Sequence, residues 1–193
     1  MQNSNKNIFL TIISRIFFIC EMILVIIPMR SIFNSIKILR FSQLIQLTKI
    51  NLAHPLFALL TLLATYWTLK ISKKYFPQTH HLNGRGNAFR HALWNCLIMM
   101  YCCKISSPQK ALYWCEKITL FHENTFPNTP LQRQMDLHNN QVGRGLFLQM
   151  LPTIHRQFFE RSFFINPLLK LTDNAEILNN KNNISKNSLV YIP

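Results

Sequence analysis

Acidic residues are scarce in this chain. Its 193 residues include seven Asp and Glu against 21 Lys and Arg, a formal net charge of +14. No acid occurs between Glu21 and Glu116, a stretch that holds Arg30, Lys37, Arg40, Lys49, Lys70, Lys73, Lys74, Arg85, Arg90, Lys104 and Lys110. Such an imbalance leaves little to hold a cationic partner and favours an anionic one, a membrane surface or a phosphate-bearing substrate. A solvated basic face would account for the same charge. Nucleic acid is not an expected partner. Lys73, Lys74, Tyr75 and Arg85 lie close in sequence, but no reader motif accompanies them.

Glycine is nearly absent, with four residues. Strand and turn signals are correspondingly few, so helices are the expected framework. The five cysteines are odd in number and contain no C-x-x-C. That argues against a disulfide framework or a zinc knuckle. Cys96, Cys102 and Cys103 fall on one apolar helix, which suggests buried free thiols in a reducing compartment. The zincin motif H-E-x-x-H is also missing: His122-Glu123 is followed by Phe126 where the second His belongs.

The chain is organised around Asn83–Asn95, which reads N-G-R-G-N-A-F-R-H-A-L-W-N. Asn87 suits an N-cap, and a helix is predicted from Ala88 to about Tyr101. That helix is apolar nearly all round, the mark of a buried one. Yet Asn87, His91 and Asn95 recur at i, i+4 and i+8 on one face, with Arg90 and Trp94 on the adjoining strip. Buried polar groups need partners, so other helices must supply them.

Residues 8–28 form an apolar run of about 20 residues, the length of a membrane-spanning helix. Arg15 and Glu21 oppose this, each costing roughly 2.5–3.5 kcal/mol near the bilayer centre, against about −0.5 kcal/mol for each Ile, Leu or Phe. No small-x-small cleavage site follows, so a signal peptide fits less well. The alternatives are a spanning segment, a membrane-lying segment, or translation from Met29. Arg30, Lys37 and Arg40 follow the run, which puts the body in the cytoplasm or on the cytoplasmic face of a membrane. Residues 29–51 read as a basic amphipathic connector. Residues 52–165 read as the helical domain, and 166–193 as an Asn-rich tail.

Within that domain, Pro55 opens a helix that closes on Lys73 and Lys74. Its apolar run is short for a span and reads as a core helix, with a second transmembrane segment as the alternative. His80-His81 reads as a loop pair without function. Ser107-Pro108 starts a helix that ends near His122-Glu123. Thr129-Pro130-Leu131-Gln132 is a capping box. The helix after it carries Asp136, Asn140 and Arg144 at steps of four, with Asn139 and Gly143 beside them. Gly143 would permit close approach of another backbone. Pro152 ends or kinks this helix. His155–Phe164 is aromatic and packs back, Asn174–Asn187 reads as mobile, and Leu189–Ile192 docks as a short extended tail. The fold class expected is all-α: a compact bundle of about five helices with a hydrophobic, basic N-terminal segment.

Three helices thus each carry a polar patch, in the motifs R-H-A-x-W-N (Arg90–Asn95), H-E (His122-Glu123) and M-D-x-x-N-N-x-x-G-R (Met135–Arg144). In this order the motifs resemble an uncharacterised bacterial family of helical domains, a domain of unknown function. The resemblance covers about residues 52–150. It implies a fold and a set of polar positions, and no activity. Relatives often carry Asp where this chain has Asn87.

Two histidines and a carboxylate suffice for a catalytic divalent metal, zinc first. The expected ligands are His91, His122 and Asp136, with Glu123 as general base. Arg90 or Arg144 would grip an anionic group, and Asn95, Asn139 and Asn140 would orient ligands or substrate. The reaction would be hydrolysis of a phosphate-bearing or lipid-like substrate. The competing expectation is a non-enzymatic, membrane-associated interaction or immunity-type protein whose polar residues form a structural core network. His54, His138 and His155 are expected to be structural or at the surface. Nothing in the pattern fixes an oligomeric state.

Overall fold

The computed structural model describes residues 40–79, 82–126, 128–179 and 185–193. The apolar run 8–28, residues 29–39 of the connector, the His80-His81 pair and residues 180–184 of the tail lie outside the described residues. The chain divides into two compact units, Met1–Leu47 and Thr48–Pro193. Helix α1 (Phe41–Ala53) ends in the second unit, where its one buried residue is Ile50.

Among the described residues there are six α-helices and a pair of two-residue strands, an all-α fold as expected. Helix α2 (Pro55–Tyr75) begins on Pro55, whose missing N–H is no loss in a first turn, and carries Lys73 and Lys74 in its last. By length and composition it is the one described helix that could cross a membrane, and 39% of that stretch is buried inside the protein. Its inner stripe is unusual for a span, because Thr61, Thr68 and Ser72 lie on it, all buried. Trp114 donates its indole N–H to Thr61 Oγ1 at 2.8 Å, and Trp94 donates to Thr65 Oγ1 at 2.9 Å.

Helix α3 (Arg85–Ile105) is the centre of the unit, with α2, α4, α5 and α6 all packed against it. From Ala88 to Cys103 every residue except Arg90 and Trp94 is buried. The helix starts earlier than its sequence suggests. Gly84 is the N-cap and Asn87 sits inside the first turn, its own N–H bonded to Gly84 O at 2.9 Å. Asn87 caps nothing because its side-chain amide is taken by Asp136 on another helix.

Helix α4 (Pro108–Thr125) starts on Ser107, which accepts from Lys110 N. Helix α5 (Pro130–Met150) opens with the full capping box: Gln132 N donates to Thr129 Oγ1, and Thr129 N to Gln132 Oε1. Gly143 lets α5 press on α3, since a Cβ there would stand 2.2 Å from Ala92 O. The chain then turns through Arg156–Phe158 into α6 (Ser162–Asp173), which runs past residue 165. The aromatic return packs as predicted: Phe147, Phe159 and Phe164 are fully buried together. Strand β1 (Glu176–Ile177) pairs in parallel with β2 (Val190–Tyr191), so Leu189–Ile192 does dock in extended form.

Candidate metal centre

Three helices converge on one buried point. His91 from α3, Glu123 from α4 and Asp136 from α5 are 4%, 2% and 4% exposed. Each offers a donor atom, and these atoms lie within 4.8 Å of one another. His91 Nε2 stands 3.4 Å from Asp136 Oδ1, and His91 Nδ1 stands 3.6 Å from Glu123 Oε1.

The tautomer of His91 follows from one backbone carbonyl. Asn95 Nδ2 donates to His91 O at 2.9 Å, which fixes the Asn95 amide. The same Nδ2 donates to Asn140 Oδ1 at 2.7 Å, and Asn140 Nδ2 donates to Glu123 Oε1 at 3.0 Å. Asn140 Oδ1 is therefore an acceptor, so His91 Nδ1, 3.2 Å away, carries the proton. That leaves Nε2 as the lone-pair nitrogen, facing a carboxylate oxygen. An Nδ1–H held in this way is the usual support for a metal-ligating imidazole.

Electrostatics point the same way. Burial, with Arg90 and His122 nearby, holds His91 well below the ordinary imidazole range, so the ring is neutral. Burial first, then Asp136, pushes Glu123 up to about 7. Burial raises Asp136 to about 6, against the opposing effects of Arg90, Asn87 and Asn128. Both carboxyls are thus held above the ordinary carboxylate range, chiefly by burial. Glu123 Oε2 is buried with no hydrogen-bond partner. It is the orphan acceptor of the cluster.

The remaining predicted residues sort by their partners. Arg90 is half-buried and bonds Asn87 Oδ1, with a nitrogen 3.4 Å from His91 Nε2. Asn140 ties the cluster together. Asn95 supports it from behind, accepting from Arg144 Nη1 at 2.9 Å and from Cys115. His122 stands beside the cluster and is not one of its three donor residues. Its ring lies 6.4 Å from that of His91, edge-on to Trp94, and against Phe126. Burial, then Arg90, lowers it to about 4, so it too is neutral. Glu123, expected as a base, is the third residue of the cluster that could hold an ion. Asn139 turns away altogether: its amide is spent on Val190.

Two contributors escape the sequence reading. Asn128 donates to Asp136 Oδ2 at 3.0 Å from the loop before α5. Asn87, expected as a cap, donates to Asp136 Oδ1 at 3.0 Å. Its place in the i, i+4, i+8 stripe is the available signal; Asn128 has none. Four buried cysteines, Cys96, Cys102, Cys103 and Cys115, are free thiols, as expected.

An all-α domain wrapped around a buried His–Glu–Asp cluster is the class this fold and site define. The chain belongs to the domain of unknown function DUF6973, whose family model matches residues 48–176. No curated protein and no solved structure matches it.

Proposed function

We propose that the His91–Glu123–Asp136 cluster binds a divalent metal ion, zinc first, and that the domain is a hydrolase for a phosphate-bearing substrate. The observation that carries this is the orphaned Glu123 Oε2, buried beside His91 and Asp136 in a cluster whose donor atoms lie within 4.8 Å of one another. One neutral imidazole and two carboxylates suit zinc or another first-row ion. Such an ion would supply a Lewis acid at the junction of α3, α4 and α5. The chain's own residues do the rest. Asn140 holds the His91 tautomer, and Asn87 and Asn128 orient Asp136. Arg90, half-buried at the rim, would grip an anionic group. His122, neutral and half-buried beside it, moves a proton at the same rim. The basic surface draws the anionic substrate, or a membrane surface bearing it, from the reducing cytoplasmic side.

One observation favours a second reading. Apart from Glu123 Oε2, the polar side chains of the cluster are all engaged with one another, which also suits a structural network in a non-enzymatic interaction protein. Metal content separates the two. The full chain should carry near-stoichiometric metal, and His91→Ala and Asp136→Asn should lose it while staying helical. Metal-free preparations that take up no zinc on titration would leave the network reading alone. A phosphomonoester and phosphodiester screen on the loaded protein then tests the reaction.

A further inference from the structure

The segment 185–193 lies beyond the family match, which ends at residue 176. It nevertheless fills a cleft whose other walls all belong to the Thr48–Pro193 unit. Leu189 and Val190 are fully buried, and Val190 shares a small core with Met135 and Leu178. Leu131 and Ile192 pack against that core.

The main chain of this segment is read on both edges. On one edge β1 does so: Glu176 N donates to Leu189 O and Leu178 N to Tyr191 O, both at 2.8 Å. On the other edge a single side chain takes the place of a strand. Asn139 Oδ1 accepts from Val190 N at 2.9 Å, and Asn139 Nδ2 donates to Val190 O at 2.8 Å. Asn83 O accepts from Ile192 N at 3.1 Å, and His138 Nε2 lies 2.8 Å from Ser188 O. The Arg85 guanidinium covers the Tyr191 ring. A primary amide that pairs with both polar groups of one residue recognises backbone, whatever the side chain. With pockets for alternate residues alongside, this is how a protein adds an extended peptide to a sheet edge.

We propose that the cleft between α5, β1 and the Asn83–Arg85 turn is an acceptor site for an extended apolar peptide. Residues 185–193 occupy it as an in-chain ligand. The ligand class is a strand of the pattern apolar, β-branched, aromatic, β-branched, read through its main chain by Asn139 and β1. This site does not rest on the metal reading, since neither polar atom of Asn139 is used in the metal cluster.

The test uses the full-length chain with Leu189→Asp and Val190→Asp, which unseats its own segment. The probe is a fluorescent synthetic peptide of residues 185–193, followed by anisotropy. Saturable binding is expected. It should weaken at least about tenfold in the parent, whose own segment competes at high effective concentration. Adding Asn139→Ala, or methylating the Val190 nitrogen of the peptide, should each weaken it several-fold. A variant that stays helical and binds no peptide overturns the proposal, as does binding that ignores both Asn139 and the methyl group. Should the variant lose its helicity, hydrogen exchange on the parent decides instead. Amides of Glu176, Leu178 and Val190 should exchange well before the slowest α3 amides if the segment is a docked ligand. Exchange at the same rate as α3 would make it an integral strand and end the proposal.

Discussion

Asn140 bridges His91 and Glu123 with the two ends of one amide: its Oδ1 faces His91 Nδ1 at 3.2 Å, and its Nδ2 donates to Glu123 Oε1 at 3.0 Å. All three side chains are buried. Asn140→Leu keeps the branched shape of the side chain and strands a ring N–H and a carboxylate oxygen together. Each such orphan costs about 1–3 kcal/mol. The variant should lose about 3 kcal/mol in urea denaturation and, on the metal reading, bind zinc far more weakly. Wild-type stability with wild-type zinc uptake would remove Asn140 from both accounts.

The α3–α5 contact makes a sharper prediction, because it compares two glycines on one helix. At Gly143 a Cβ would meet Ala92 O at 2.2 Å and Ala92 Cα at 2.7 Å, while at Gly145 nothing lies within 4 Å. The Ala92 atoms are backbone and cannot swing aside. Gly143→Ala should therefore force the helices apart, at a cost above about 3 kcal/mol. Gly145→Ala should stabilise by up to about 1 kcal/mol, the helix preference of Ala over Gly. Thermal melts of the two variants check both signs, and equal effects would refute the close contact.

The indole–hydroxyl bond between α4 and α2 can be measured as a coupling. Trp114 Nε1 donates to Thr61 Oγ1 at 2.8 Å, both residues being buried. Thr61→Val keeps the shape and orphans the indole N–H, so it should cost about 1–2 kcal/mol. In a Trp114→Phe background the same change should cost much less. A double-mutant cycle that closes with no coupling energy would show the bond to be worth nothing net.

What the sequence discloses, and what it hides, follows from range. The Ser107 and Thr129 caps and the Pro55 start depend on residues three or four apart, and all three are readable. The site is readable as three patches, because buried polar residues on apolar helices demand partners. Which member of each patch faces the partner is not. Arg90 and His91, His122 and Glu123, Asn139 and Asn140 are adjacent pairs, and neighbours on a helix point about 100° apart. His91, Glu123 and Asn140 enter the cluster; Arg90 and His122 stand at its edge, and Asn139 turns to Val190. Nothing local decides which way Asn139 faces; Val190, 51 residues on, claims it. The true start of α3 is hidden for the same reason, since Asp136 lies 49 residues from Asn87.

Glu123 gives the clearest pH test, made on the metal-free protein in chelator. In the fold its carboxyl is pushed up to about 7 from an ordinary value of 4.5, chiefly by burial. Between those two pH values the folded state holds a proton that the unfolded state has released. Stability must then fall as pH rises through that window. Asp136, raised to about 6, acts in the same sense. His91 and His122 act in the opposite one. Both are lowered from 6.5, so each favours the fold increasingly as pH rises towards 6.5 and contributes no slope beyond it. Above pH 6.5 the Glu123 slope stands nearly alone. Glu123→Gln keeps an acceptor for Asn140 and removes the charge. It should match the parent near pH 4 and exceed it near pH 8 by about 3 kcal/mol, since each tenfold change in an acid's ionisation constant is worth about 1.4 kcal/mol. Urea midpoints of the two proteins across this range make the comparison. A constant difference, or a parent more stable at pH 8, would mean that Glu123 is already compensated in the fold. Saturating zinc should reverse the ranking at pH 8, because the ion needs the charge that Gln lacks.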